Sequence, residues 1–183
     1  TIKAWKAKGS IKSGKAAKLA GEWQLKFAED SFAKTWEPYA IKTAAKTVDE
    51  AKKQNAAIEK AKTAAEDQYL ALDAYGVADL SMAAKVRYGD IQFTFGQKLS
   101  DAPIPVPVAK NPAAVEAYEA QRDKNLTKFV NEAKGQWMEV VDLAKRGGIS
   151  NEWSRRAQVN LGREFPQEFT VLSQEIIQGT SAP

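Results

Sequence analysis

Asp79-Leu80-Ser81-Met82-Ala83-Ala84-Lys85-Val86-Arg87-Tyr88-Gly89-Asp90-Ile91-Gln92-Phe93 decides the fold of this chain. Apolar residues Leu80, Ala84, Tyr88, Ile91, Phe95 and Leu99 recur at intervals of 4, 4, 3, 4 and 4, the period of a helix with one buried face. Gly89 stands in the middle of that face. Glycine inside a helix costs about 1 kcal/mol relative to alanine, and close packing against a second helix offsets that cost. The segment therefore predicts a helix over Asp79–Leu99 with Gly89 at a helix crossing.

Working outward, the same period persists almost everywhere. Ala16, Leu19, Ala20, Trp23, Phe27, Phe32, Trp36 and Tyr39 predict a helix from Ser13 to Ile41, ended or kinked by Pro38. Thr47-Val48-Asp49-Glu50 is a capping box opening an Ala-rich helix that stops at Gly76. Ser100 to Pro107 carries alternating prolines, which predict an extended, stiff connector and exclude helix there. Asn111-Pro112 restarts the helix. Val115, Tyr118, Arg122, Leu126, Phe129, Ala133, Trp137, Val140 and Ala144 then make a stripe from Pro112 to Lys145, about nine turns. Gly147-Gly148 ends it. Ser150 is expected to cap a shorter helix through Trp153, Ala157 and Leu161, and Pro166 to open a last one through Phe169, Leu172 and Ile176. The fold class is all-α: antiparallel helical hairpins in an irregular array. The divisions read from the sequence are a basic lead over 1–16, one helical domain over 17–177 and a flexible tail over 178–183.

Composition narrows the function. The chain has neither Cys nor His, which removes disulfides, thiolate sites, Cys nucleophiles, His-based triads and imidazole switches. No Gly-rich phosphate loop and no Asp-rich calcium loop occurs. Acids such as Glu50, Asp67, Asp90, Glu119 and Glu139 read as solvated helix faces. The expectation is no enzyme activity, no cofactor and no metal. No apolar run approaches the roughly 20 residues of a membrane span, and no targeting segment is visible. The chain begins at Thr1, as a processed form or an excised module would. Net charge is +4, with six lysines and no acid in residues 1–20. Lys3, Lys6, Lys12, Lys15 and Lys18 are thus candidates for binding an anion, nucleic acid or an anionic membrane; a solvated basic helix or a linker broken at Gly9 and Gly14 is the alternative.

Two further patterns bear on family. Ala17-Lys18-Leu19-Ala20-Gly21-Glu22-Trp23-Gln24 is similar to Ala84-Lys85-Val86-Arg87-Tyr88-Gly89-Asp90-Ile91-Gln92. Their glycines lie 68 positions apart, twice the roughly 34-residue tetratricopeptide period. Arg87-Tyr88-Gly89-Asp90-Ile91, then Leu99 and Ala102-Pro103-Ile104-Pro105, then Gly148-Ile149-Ser150-Asn151-Glu152-Trp153 form an ordered set. From Ala17 to Phe165 the chain resembles tetratricopeptide-repeat proteins of myxobacteria and related delta-proteobacteria, including those of the gliding-motility machinery. The proline-rich connector and the long helix after it depart from the standard repeat. The resemblance implies a protein–protein interaction scaffold of an envelope assembly, periplasmic or envelope-associated, with the cytoplasm left open. Partner-binding candidates are Val86, Arg87, Asp90 and Phe93 on the Asp79–Leu99 helix, with Trp36 and Trp153; Asp90 would read a basic residue and Arg87 a carboxylate, and the alternative is that Phe93 packs against the long helix and Arg87 pairs with an acid within the domain. Trp36 and Trp153 are expected to be partly exposed, and Trp23 and Trp137 to be core.

Overall fold

The computed structural model describes residues 2–7 and 14–170. Every regular element among them is helical: α1 (Ile2–Ala7), α2 (Gly14–Ser31) running into one π-helical turn (Phe32–Trp36), α3 (Val48–Leu70) followed by a 3-10 segment (Ala71–Tyr75), α4 (Ala78–Ser100), α5 (Val106–Ala109), α6 (Pro112–Gly147) and α7 (Glu152–Glu164). No helix among the described residues is long and apolar enough to cross a membrane.

α4 is the central helix, with α2, α3, α6 and α7 packed around it. That is why it buries residues all round, from Leu80 and Met82 through Val86, Gly89, Ile91 and Gln92 to Phe95 and Gly96. α3 and α4 run antiparallel, with Gln92 donating to Glu66 and Lys62 lying over the Phe95 ring. α4 and α6 form the most extensive contact and are also antiparallel: Gly89 meets Ala133 and Trp137, and Gly96 meets Leu126 and Phe129. α7 folds back along α6, and Lys134 reaches Glu168. Three successive hairpins result.

Local chemistry sets the boundaries. The Thr47 hydroxyl accepts from Glu50 N at 3.1 Å, and the Glu50 carboxylate accepts from Lys46 N at 2.6 Å. The Asn111 side chain accepts from Ala113 N and Ala114 N, with Pro112 as the first helical residue. Gly148, at φ 60°, closes α6 in the left-handed conformation. Asn151, not Ser150, caps α7: it shares a reciprocal box with Ser154.

Several expectations are corrected. Of the two outcomes expected at Pro38, the helix ends, at Trp36, and what the sequence reading lacked is that it does so in a π turn. The connector contains α5, because a proline in the first helical turn lacks only an N–H that would have no intrahelical partner. It is tied down by Val106 N donating to Ala45 O and by Arg122 donating to Ala102 O. The lead is not loose where it is described: Trp5 of α1 is buried, its ring centroid 4.4 Å from that of Tyr75. Trp23 is 49% exposed and outside the core, whereas Trp36 and Trp153 are buried at 1% and 8%. After α7 the chain makes only a turn around Pro166 before Phe169. Gly9, Lys12, Leu172, Ile176 and the tail 178–183 lie outside the described residues.

The crossing at Gly89 generates a paired prediction. A Cβ there would stand 2.6 Å from Trp137 Nε1 and 3.2 Å from Ala133 O, whereas one at Gly135 would meet nothing within 4 Å. Gly89→Leu should cost about 3 kcal/mol or more by overpacking. Gly135→Ala, on an exposed turn of α6, should stabilise by up to about 1 kcal/mol. Urea denaturation checks both, and an unchanged midpoint for Gly89→Leu refutes the close crossing.

Candidate functional site

An open cleft of about 380 Å³ lies between the π turn, α4, α6 and α7, within the size range of ligand sites. Phe32 and Trp36 enter from the π turn, Arg87, Asp90, Phe93, Thr94 and Lys98 from α4, Trp137 from α6, and Arg156, Asn160 and Arg163 from α7. Single π turns inside helices recur at functional sites, because the extra residue re-aims side chains. Here it brings two aromatics to one cleft.

The aromatic walls are fixed. Trp36 Nε1 donates to Thr94 Oγ1 at 2.9 Å, and Trp137 Nε1 donates to the Val86 carbonyl at 3.3 Å. The Phe93 and Trp137 ring centroids are 5.7 Å apart. Lys98 holds the end of the π turn: its ammonium donates to Glu37 O at 3.1 Å and to Tyr39 O at 2.8 Å, and lies 5.4 Å over the Trp36 ring. Burial makes this ammonium less basic than usual, while Glu37 and Asp101 pull the other way.

The cleft floor is a closed polar network. The Arg87 guanidinium forks onto Glu29, donating from Nε to Oε1 at 2.7 Å and from Nη2 to Oε2. Its Nη1 donates to Asp90 Oδ2 at 3.3 Å. The Tyr69 hydroxyl donates to Glu29 at 2.9 Å. Asp90 also accepts from Arg156 Nη2 at 2.8 Å and from Asn160 Nδ2 at 2.7 Å. The guanidinium of Arg87 lies 4.9 Å from the Phe32 ring centroid and 5.9 Å from that of Trp153. Burial opposes the charge on Arg87, but Glu29, with Tyr69 and Asp90 behind it, outweighs burial and the group is more basic than usual. Burial pushes the Asp90 carboxyl above the usual range, with Arg156 and Arg87 pulling it back. The Tyr69 hydroxyl is raised well above the ordinary phenol range, first by burial and then by the Glu29 charge.

Four sequence candidates, Trp36, Arg87, Asp90 and Phe93, thus converge on one cleft; Arg87 and Phe93 take the alternative roles, pairing with an acid within the domain and packing against the long helix, and the role expected of Asp90 is corrected. Asp90 has both oxygens engaged internally and is not free to read a basic residue, and the Arg87 fork is taken by Glu29. Val86 is fully buried and Trp153 packs beneath Arg87, so neither offers surface. Lys98, Arg156, Asn160 and Arg163 escaped the sequence reading. Their signal was the spacing 156, 160, 163, which continues from Trp153 at intervals of three and four along α7. Of the lysine candidates, Lys3, Lys6, Lys15 and Lys18 are exposed on α1 and α2. Comparison with protein-family models, with curated proteins and with solved structures finds no match to this chain.

The network carries two predictions. Arg87→Ala leaves Glu29 with the Tyr69 hydroxyl alone and Asp90 with Arg156 and Asn160, and should cost about 3 kcal/mol; Arg87→Lys should recover only part, because an ammonium cannot fork, and chemical denaturation measures both. The raised Asp90 pKa means that its contribution to stability is fully present below the ordinary carboxylate range and is lost as pH rises through the raised value. Arg156→Ala removes the largest opposing pull and should raise that pKa further, read by carboxyl ¹³C NMR. A lower value in the variant would show that Arg156 does not act on this carboxylate.

Proposed function

We propose that this chain is a non-enzymatic scaffold module that grips an acidic segment of another protein in this cleft. The observation that carries the reading is the unspent donor capacity at the cleft mouth. Arg156 commits only Nη2 to Asp90, Arg163 commits only Nε to Glu164, and Lys98 commits two of its donors to backbone carbonyls. These three cations face one exposed acid, Glu37, since Asp90 is already engaged. Guanidinium groups match carboxylates bidentately, and Phe93 and Val159, the part-exposed apolar residues of the lining, accept an apolar side chain next to the acid. The partner is therefore acidic, the reverse of the basic segment expected from Asp90 alone.

The place we propose for it, an envelope assembly, periplasmic or envelope-associated, rests on the resemblance read from the sequence and on no match to known proteins. A second reading rests on the exposed Lys3, Lys6, Lys15 and Lys18: contact with nucleic acid or an anionic membrane. Both modes weaken with salt, so charge reversal in the lead separates them: Lys3→Glu/Lys6→Glu removes phosphate contact and leaves the cleft untouched.

Titration calorimetry against peptides containing Asp or Glu beside an aromatic tests the proposal. Arg163→Glu, on an exposed side chain, should weaken binding at least tenfold with an unchanged melting temperature, and Lys3→Glu/Lys6→Glu should leave it intact. Equal affinity for Arg163→Glu and the wild type would remove the cleft as the binding site.

A further inference from the structure

We infer that α2 pairs with α2 of a second copy of this chain, antiparallel, about a two-fold axis at Trp23. The inference uses a surface separate from the cleft. Leu19, Trp23 and Phe27 are 51%, 49% and 60% exposed. They fall four residues apart, so they line one side of α2, while Ala17, Ala20, Gly21 and Ala28 bury the opposite side in the domain. Of the other large exposed apolar residues among those described, Val48 and Leu70 stand at opposite ends of α3, Val106 on α5 and Met138 on α6. Scattered residues of that kind are ordinary surface. Three large ones in register on one helix are not.

The pattern is complementary to itself. Reversing α2 about Trp23 places Leu19 against Phe27 of the second copy and Trp23 against its own counterpart. The charged residues Lys15, Glu22, Lys26 and Asp30 flank the stripe on one side. In an antiparallel pair the same flank of each helix faces its equivalent. Lys15 then comes beside Asp30 of the second copy, and Lys26 beside its Glu22, each pair occurring twice by symmetry. In a parallel pair each flank faces the opposite one, so these charges would meet Ala16 and Gln24 and gain neither pair. With Lys15 and Lys26 balanced by Glu22 and Asp30, the flank has no net charge and offers an anionic membrane no net attraction. One helix of 18 residues covers less than the roughly 800 Å² per partner of a standard interface, so the pairing is weak and reversible.

Sedimentation equilibrium over about three decades of concentration, up to about 0.5 mM, tests this on the whole chain. The wild type should show a monomer–dimer equilibrium. Trp23→Ala and Leu19→Glu, both on exposed side chains, should raise the dissociation constant at least tenfold while leaving peptide binding in the cleft unchanged. Glu22→Lys and Lys26→Glu should each weaken the dimer, and the two together should restore it, which no general loss of apolar surface would do. A wild type monomeric throughout overturns the proposal, as does failure of the charge swap to restore pairing. Flotation of that monomer with phosphatidylglycerol vesicles would assign the stripe to a membrane surface instead.

Discussion

One buried guanidinium organises this molecule. Arg87 sits on the central helix and reaches Glu29 on α2, Asp90 on its own helix, and the rings of Phe32 in the π turn and Trp153 on α7. Through Asp90 the network continues to Arg156 and Asn160 on α7, and through Glu29 to Tyr69 on α3. Taking a guanidinium out of water is costly, and only near-complete pairing recovers the cost. The chain meets that requirement by bringing three other helices to fixed positions around α4. A hydrophobic contact would tolerate sliding; a forked ion pair does not, so the register of α2 and α7 on α4 is set by polar geometry more than by the apolar stripes.

Close packing on the far side of α4 makes that register possible. Gly89 and Gly96 let α6 approach, and the Trp137 indole fills the space a side chain at Gly89 would occupy. That indole is also a cleft wall, and its N–H is satisfied by the Val86 carbonyl. On the other side the π turn advances Phe32 and Trp36 into the same space, and Lys98 satisfies the carbonyls of Glu37 and Tyr39 beyond the turn. The cleft therefore follows from two departures from regular helix packing, one a missing side chain and one an extra residue.

The helices, their order and most of their ends were legible in the sequence, because period, capping residues and glycine stops act locally. Gly89 was legible too, since a glycine on an apolar helical face has few other physical reasons. Exposure was not. Trp23 and Trp36 belong to one continuous periodic pattern, yet one is half exposed and the other buried; a π turn shifts the phase between them, and no local residue announces it. The site was half legible. Arg87, Asp90 and Phe93 were picked out by their helix, but whether a charge is free depends on partners 58 to 66 positions away, Glu29 and Arg156. Only the three- and four-residue spacing along α7 pointed to Arg156, Asn160 and Arg163.

That outcome has a physical logic. A helix buried on every side must satisfy its polar groups within the domain, because each unsatisfied one costs about 1–3 kcal/mol. The buried charged residues of α4, Arg87 and Asp90, are thus consumed by the fold, and their identity reports on assembly of the domain. What remains for recognition is the donor capacity left on neighbours that touch the network at one atom only. Arg156 is such a residue: one nitrogen anchors it to Asp90 and the rest of its fork faces the cleft. Anchoring through Nη2 restricts the side chain before any partner arrives, which lowers the entropy lost on binding. The buried network therefore has a second consequence beyond stability: it holds the guanidinium at the cleft mouth in one orientation.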